Sequence, residues 1–191
     1  KYKKNNSVCF TYFGEGAANQ GQVYEAFNMA SLWKLPVVFV IENNQYAMGT
    51  SMVRASSTDE MFARGLAFNI PGKAVNGMNV LDVAKEAAHA ADHCRAGKGP
   101  FILEMKTYRY RGHSMSDPAK YRTREEVQKV REEKDPIDTL RSILIEKHKI
   151  SEKQFKATDA EIKVIVTEAS DFALNSPEPD IGELWTDVYA G

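Results

Sequence analysis

The chain has 191 residues, 43% of them hydrophobic and 27% charged, enough apolar material for one sizeable core and hardly two. The 25 Lys and Arg against 26 Asp and Glu leave a formal net charge of −1, which excludes a chain-wide basic field for nucleic acid or an anionic membrane surface. The longest apolar run, residues 37–41, is far short of the roughly 20 residues a membrane helix needs, so a soluble protein with no membrane partner is expected.

Residues 7–13 (SVCFTYF) are β-branched, aromatic and nearly continuous in apolar character, and they end at Gly14-Glu15-Gly16. A parallel strand buried on both faces is predicted there. From Ala17 the period changes, with Val23, Ala26, Phe27, Ala30 and Trp33 on one helical face before Pro36. The run 37–41 then reads as the next strand, ending in Glu42-Asn43-Asn44, where an α/β sheet presents polar groups to a ligand. A polar stretch at 56–59 leads into a predicted helix with Asp59 and Glu60 in its first turn. Residues 73–75 are a strand candidate. Asn79 is placed to cap a helix whose apolar positions are Val80, Val83, Ala84, Ala87, Ala88 and Ala91, and residues 101–107 (FILEMKT) supply another strand after Gly99-Pro100.

Segment 108–124 (YRYRGHSMSDPAKYRTR) has no period and is longer than ordinary connections, which marks a functional or mobile loop. Beyond it the chain reads as charged helices over 125–133, 136–147 and from Ser151, whose spacing to Gln154 resembles a capping box. Pro177-Glu178-Pro179 breaks the pattern before a short segment to Tyr189. The fold class expected is α/β, a mostly parallel sheet flanked by helices. Residues 1–124 form its cofactor-binding region, ending in the 108–124 loop, and 125–191 form a helical extension. With only three or four strands, and the first almost at residue 1, the chain reads as lacking an N-terminal part of such a fold. Cys9 and Cys94 have no pairing pattern and are expected as buried reduced thiols.

A glycine turn between a strand and a helix lets a diphosphate approach free backbone N–H groups. The carboxylate of Glu15 inside that turn and the amides of Asn43 and Asn44 at the next strand's end make an oxygen set suited to magnesium. The competing reading is a dinucleotide site, with Gly14-x-Gly16-x-x-Asn19 near the Gly-x-Gly-x-x-Gly pattern and Glu42 as a ribose-binding acid. Against it, Asn19 replaces the third glycine, and Glu15 would repel a pyrophosphate without a cation between them.

The stretch YFGEGAANQGQVYEAFNMASLWKLPVVFVIENNQYAMGTS resembles the thiamine-diphosphate motif, a Gly-Asp-Gly turn followed by about thirty residues ending in Asn-Asn. Together with TYRYRGHSMSDPAKYRTREE, it is similar to the α subunits of the decarboxylating component of pyruvate dehydrogenases over essentially the whole chain. The resemblance implies oxidative decarboxylation of pyruvate with thiamine diphosphate and Mg2+, and reductive acetylation of a lipoyl group. Partners follow in the same way: a β subunit in an α2β2 heterotetramer, the lipoyl domain of the acetyltransferase component and a small 2-oxo acid. Glu15, Asn44 and the carbonyl of Tyr46 match metal ligands, Gly14, Gly16 and Ala17 line the diphosphate, and His113 matches a catalytic and phosphate-contacting position, with Arg109 a weaker candidate.

Glu15 stands where pyruvate dehydrogenases usually have Asp, and its extra methylene must fit a magnesium geometry of about 2.1 Å. The branched-chain 2-oxo acid dehydrogenase α subunits share Gly-Glu-Gly and, with acetoin dehydrogenases, are the nearest alternative. A non-catalytic homologue that has lost the metal site is the alternative from another class. Ser114 and Ser51 match phosphorylated positions of animal members, although the further serine expected between Pro118 and Tyr121 is absent. A bacterial cytoplasm is the expected compartment, with the mitochondrial matrix or plastid stroma as the other settings. The 108–124 loop is expected to be the most mobile stretch before residue 125 when no cofactor is bound.

Overall fold

The β-branched run at 37–41 forms the centre of strand β2 (Val37–Asn43), which pairs in parallel with β1 (Cys9–Gly14) and, on its other side, with β6 (Phe101–Lys106). Strand β5 (Gly72–Asn76) completes a parallel sheet of order β1-β2-β6-β5. The computed structural model describes residues 5–188. Residues 1–4 of the chain and Tyr189, the expected end of the final segment, lie outside the described residues.

Parallel neighbours need crossover connections. Helix α1 (Gly21–Leu32) links β1 to β2, and α3 (Val80–Arg95) links β5 to β6. Between β2 and β5 run a two-residue hairpin, β3 (Tyr46–Ala47) with β4 (Thr50–Ser51), the single turn α2 (Met52–Ala55) and a 3-10 segment, Met61–Phe68. That 3-10 segment occupies the place of the helix expected after Asp59 and Glu60.

Alternation along the strands assigns the two core layers. Phe39, Ile41 and Ile102 pack with Phe27, Ala30, Met61 and Ile70 on one face, while Val38, Val40, Leu103 and Met105 pack with Ala90 and Cys94 on the other. Asn79 caps α3 as expected, its Oδ1 accepting from the N–H of Leu81 at 3.0 Å and of Asp82 at 3.4 Å.

Three expectations about burial are corrected. Strand β1 starts at Cys9, not Ser7, and is an edge strand of the described sheet with β2 as its single neighbour, so Tyr12 is 62% exposed and Cys9 is exposed rather than buried. In α1 the buried residues are Phe27 and Ala30, while Ala26 and Trp33 are exposed. The helix is rotated because Tyr24 and Phe27 set their rings against Phe68 of the 3-10 segment, with centroids 6.2 and 6.1 Å away. In α3 the buried residues are Glu86, Ala90, Ala91 and Cys94, with Ala84 and Ala88 exposed. Alanines mark a face only weakly. Glu86 tucks in because Lys73 of β5 donates to its carboxylate at 2.7 Å, a bond that also holds its pKa below the ordinary value.

The described residues divide into two units, one ending at Arg141 and the other beginning at Ser142. The first runs past residue 124 because helix α4 (Arg124–Lys134) is tied to the preceding loop: Tyr108 Oη donates to Glu126 Oε1 at 2.7 Å, and Tyr110 Oη to Asp135 Oδ2 at 3.1 Å. Helix α5 (Pro136–His148) crosses the division. The second unit continues with α6 (Glu152–Asn175) and a 3-10 turn, Ile181–Trp185. At its start the N–H and hydroxyl of Ser151 donate to Gln154 Oε1 at 2.9 and 2.8 Å, the reciprocal half of the expected capping box. Among the described residues, no helix is long and apolar enough to cross a membrane.

Candidate functional site

The register of the sheet sets two turns side by side. Gly14, the last residue of β1, pairs with Glu42 of β2, so Glu15-Gly16-Ala17 and Asn44-Gln45-Tyr46 leave the carboxyl end of adjacent strands together. This is where ligands bind in open parallel sheets. A cavity of about 380 Å3 opens there, lined by Gly14, Glu15, Gly16, Ala17, Asn44, Tyr46, Arg109 and His113, with Gln20, Ala47 and Met48 completing the wall.

Gly14 and Gly16 serve different ends. A Cβ on Gly14 would meet nothing within 4 Å, which leaves that side of the turn open to a ligand, whereas a Cβ on Gly16 would lie 2.5 Å from the Cβ of Ala47. The second glycine therefore permits the close approach of the turn to the hairpin. The helix does not begin directly after the turn: Ala17–Asn19 form a 3-10 turn, Gln20 is extended, and α1 starts at Gly21.

Glu15 is 3% exposed. Its Oε2 accepts from the backbone N–H of Asn44 at 3.2 Å, and its Oε1 is buried with no hydrogen-bond partner. A buried carboxylate oxygen without a donor is costly, and a cation beside it removes that cost. Asn44 is half-buried, and its Oδ1 accepts from the Tyr46 N–H at 3.3 Å, leaving a second lone pair free. Among the described residues there is no group of three or more His, Cys, Asp or Glu able to hold a metal. A cation here would therefore be held by one carboxylate together with amide and carbonyl oxygens, a donor set that fits magnesium shared with phosphate.

The two asparagines do not act together, contrary to the reading of both amides as one oxygen set; Asn44, the one matched by the family resemblance, lines the cavity. Asn43 is fully buried and turned into the core, its Nδ2 donating to Glu104 Oε1 at 2.6 Å. Alternation also sends Glu42 to the α3 side, where it lines a separate cavity of about 230 Å3 with Tyr12, Val83 and Met105. A ribose-binding acid for the glycine turn is thus absent from that position, which counts against the dinucleotide reading.

Residues 108–123 contain no helix or strand, yet they are laced together. Asp117 Oδ2 accepts from the His113 N–H at 2.7 Å and the Tyr121 hydroxyl at 2.8 Å, and its Oδ1 accepts from the Ala119 N–H at 2.8 Å. These bonds, led by the one from His113, bring the Asp117 pKa down to about 2. Arg109 Nη2 donates to Tyr121 Oη at 2.8 Å and to the Met48 carbonyl at 2.6 Å, joining loop to hairpin. The buried Arg122 guanidinium lies over the rings of Tyr108, Tyr121 and Tyr46 at 5.2, 5.2 and 5.7 Å. His113 is exposed in its side chain at the cavity mouth. Ser114 is exposed, 3.0 Å from Ser116 Oγ, and Ser51 is half-buried in β4. Elsewhere His89 and His93 of α3 set their rings edge-on to Phe101, and burial lowers the pKa of His93.

Sequence reasoning missed Gln20, Ala47 and Met48 in the wall, and the buried Asn43–Glu104 pair behind it. Only the adjacency of Ala47 and Met48 to Tyr46 could have signalled the first group; a carboxylate in an inner strand could have signalled the second.

The model of the family described as "dehydrogenase E1 component" matches residues 1–182. The chain is 56% identical over 188 residues to the pyruvate dehydrogenase E1 component subunit alpha of Rhizobium meliloti (strain 1021), covering 98% of this chain and 54% of the relative. It is 53% identical over 191 residues to the protein of that name from Zymomonas mobilis, covering 100% and 54%. To the testis-specific mitochondrial form from Rattus norvegicus it is 51% identical over 190 residues, covering 99% and 48%. The chain spans about half the length of the curated relatives it matches.

Proposed function

Since this chain belongs to the dehydrogenase E1 component family, we propose that it forms the diphosphate- and magnesium-holding side of a thiamine-diphosphate-dependent pyruvate dehydrogenase, working with a β subunit in an α2β2 assembly. The observation that carries this reading is the buried, partnerless Oε1 of Glu15 in a cavity it shares with the glycine turn and Asn44. Pyruvate is the substrate favoured, in keeping with the names of the relatives.

In this reading the Glu15 carboxylate, the Asn44 side-chain amide and the Tyr46 carbonyl hold Mg2+, while Gly14, Gly16 and Ala17 border the diphosphate. Thiamine diphosphate, when bound, supplies the carbanion needed to release carbon dioxide from a 2-oxo acid. What the chain contributes is placement and charge. Glu15 tolerates a diphosphate only with a cation between them. Arg109 adds a fixed positive charge to the cavity wall while pinning the loop to Met48. His113 brings to the mouth a side chain able to hold or pass a proton during acyl transfer to a lipoyl arm. The partner chain closes the remainder of the site.

Calorimetric titration of thiamine diphosphate into the full-length chain co-expressed with its β partner, with and without magnesium, tests the proposal. Binding is expected only with magnesium. Glu15→Ala is expected to weaken it about 100-fold or more, from roughly 3 kcal/mol for removing one side of a buried charge pair. Binding indifferent to magnesium would point to a lost metal site, and no binding under either condition would overturn the cofactor assignment.

A further inference from the structure

We propose that Glu104 is a positioning residue for the metal-holding turn, acting through Asn43; this rests on the reading of Glu15, Asn44 and Tyr46 as a magnesium site. Glu104 is fully buried in β6, between Ile41 of β2 and Ala74 of β5, and is flanked along its own strand by the buried Leu103 and Met105. Among the described residues it forms no ion pair. A carboxylate in such a place is unfavourable unless its hydrogen bonds compensate, and each of its two oxygens accepts one. Oε1 takes Asn43 Nδ2 at 2.6 Å, and Oε2 takes the backbone N–H of Phe62 at 3.2 Å.

The first bond dictates which end of the Asn43 amide faces the site. Glu104 Oε1 accepts there, so the amide nitrogen points to Glu104 and the carbonyl oxygen away from it. That oxygen accepts both from the backbone N–H and from the Nε2 of Gln45, each at 3.1 Å. Gln45 has φ 76, a left-handed conformation unusual for a residue with a Cβ. Such a conformation persists only when its surroundings hold it, and Asn43 holds it on one side while the Met52 N–H, donating to the Gln45 carbonyl at 2.9 Å, holds it on the other. Immediately before this turn is Asn44, whose N–H meets Glu15, and immediately after it is Tyr46. Glu104, which is not among the residues lining the cavity, thereby sets the angle at which both are presented.

The second bond reaches the opposite wall. Phe62 is the second residue of the 3-10 segment that carries Arg64, and Arg64 Nη1 donates to the Ala18 carbonyl at 2.8 Å and to Asn19 Oδ1 at 2.7 Å, just behind the glycine turn. One carboxylate therefore braces both turns that border the cavity.

The test is thiamine diphosphate binding as a function of magnesium, measured by calorimetry on the full-length chain with its β partner, alongside the thermal midpoint without cofactor. Glu104→Gln keeps the shape but gives one end of the group a donor, so either the Asn43 or the Phe62 bond must fail. The magnesium concentration for half-maximal binding is expected to rise about 10- to 100-fold, the usual effect of losing a partner behind a metal ligand. The double variant Asn43→Asp with Glu104→Gln exchanges carboxylate and amide, restores the bond between the two positions and leaves acceptors for the Phe62 and Gln45 N–H groups, and it is expected to return the midpoint to within about 3-fold of wild type. A folded Glu104→Gln protein with wild-type magnesium dependence overturns the role. So does a folded double variant that remains weakened, which keeps the test decisive if the single variant fails to fold. A wild-type protein with no magnesium dependence overturns the site reading itself, and this role with it, an outcome distinct from the other two.

Discussion

Asp117 shows how one side chain organises a segment that has no regular structure. Three donors converge on its carboxylate and bring its pKa to about 2 from an ordinary value of 3.8. A group depressed in the folded state contributes fully above the unfolded value, and its contribution is lost as pH falls through the folded one. Acidification from about pH 4 to 2 is therefore expected to release the 108–124 loop, read as faster proteolytic cleavage within it, and Asp117→Asn should produce the same release at neutral pH. At Cys94 burial acts in the opposite direction on a thiol, pushing its pKa up to about 11. The thiolate is the reactive form, so Cys94 is expected to resist iodoacetamide at pH 7.5 in the folded protein and to react on denaturation, followed by mass spectrometry.

At the scale of elements, the sheet and its crossovers hold the cavity by packing on one face. Phe27 of α1 is 1% exposed and meets Phe39 of β2 edge-on with ring centroids 4.7 Å apart, and Phe68 closes the same cluster. Phe27→Ala is expected to cost about 3–5 kcal/mol, visible as a lower urea midpoint with little change in slope. Most elements were legible from periodicity: β2, β5, β6, α3 and the helices from 124 onward lie within a few residues of their predicted places. The face of α1 was not, because it is set by Phe68 in a 3-10 segment whose short apolar run has no helical period to read. The face of α3 was blurred by its alanines, which bury or expose at little cost either way, and was settled by the Lys73–Glu86 bond between elements.

For the whole molecule, the proposed site is one shared between chains. The chain spans about half the length of the relatives it matches, β1 has one neighbour in the described sheet, and the candidate cavity presents a carboxylate, an amide and a glycine turn, with Arg109 and His113 on its wall. The proposed α2β2 assembly places the remaining contacts on other chain. The full-length α chain by itself is accordingly expected to show no decarboxylation of pyruvate, with activity appearing on addition of the β chain in a ratio that saturates at one to one. Activity of the isolated α chain, measured as carbon dioxide release with an artificial electron acceptor, would refute the shared site.

Sequence by itself determined the alternation of strand and helix, the glycine turn at a strand end and the unusual length of the 108–124 loop, since each is written in neighbouring residues and their spacing. The family resemblance added His113 and the carbonyl of Tyr46, which no local pattern distinguishes. The resemblance also singled out Asn44 of the two adjacent asparagines, but the residues read by themselves did not, because strand alternation has no absolute sense until the sheet's two faces are assigned by pairing. Asn43 then falls on the core side with Ile41 and Phe39, and Asn44 emerges beside Glu15. Only the tertiary structure decided that Glu104, 61 residues from Asn43, stands behind the site, because a hydrogen bond between neighbouring parallel strands leaves no trace in either strand's own sequence.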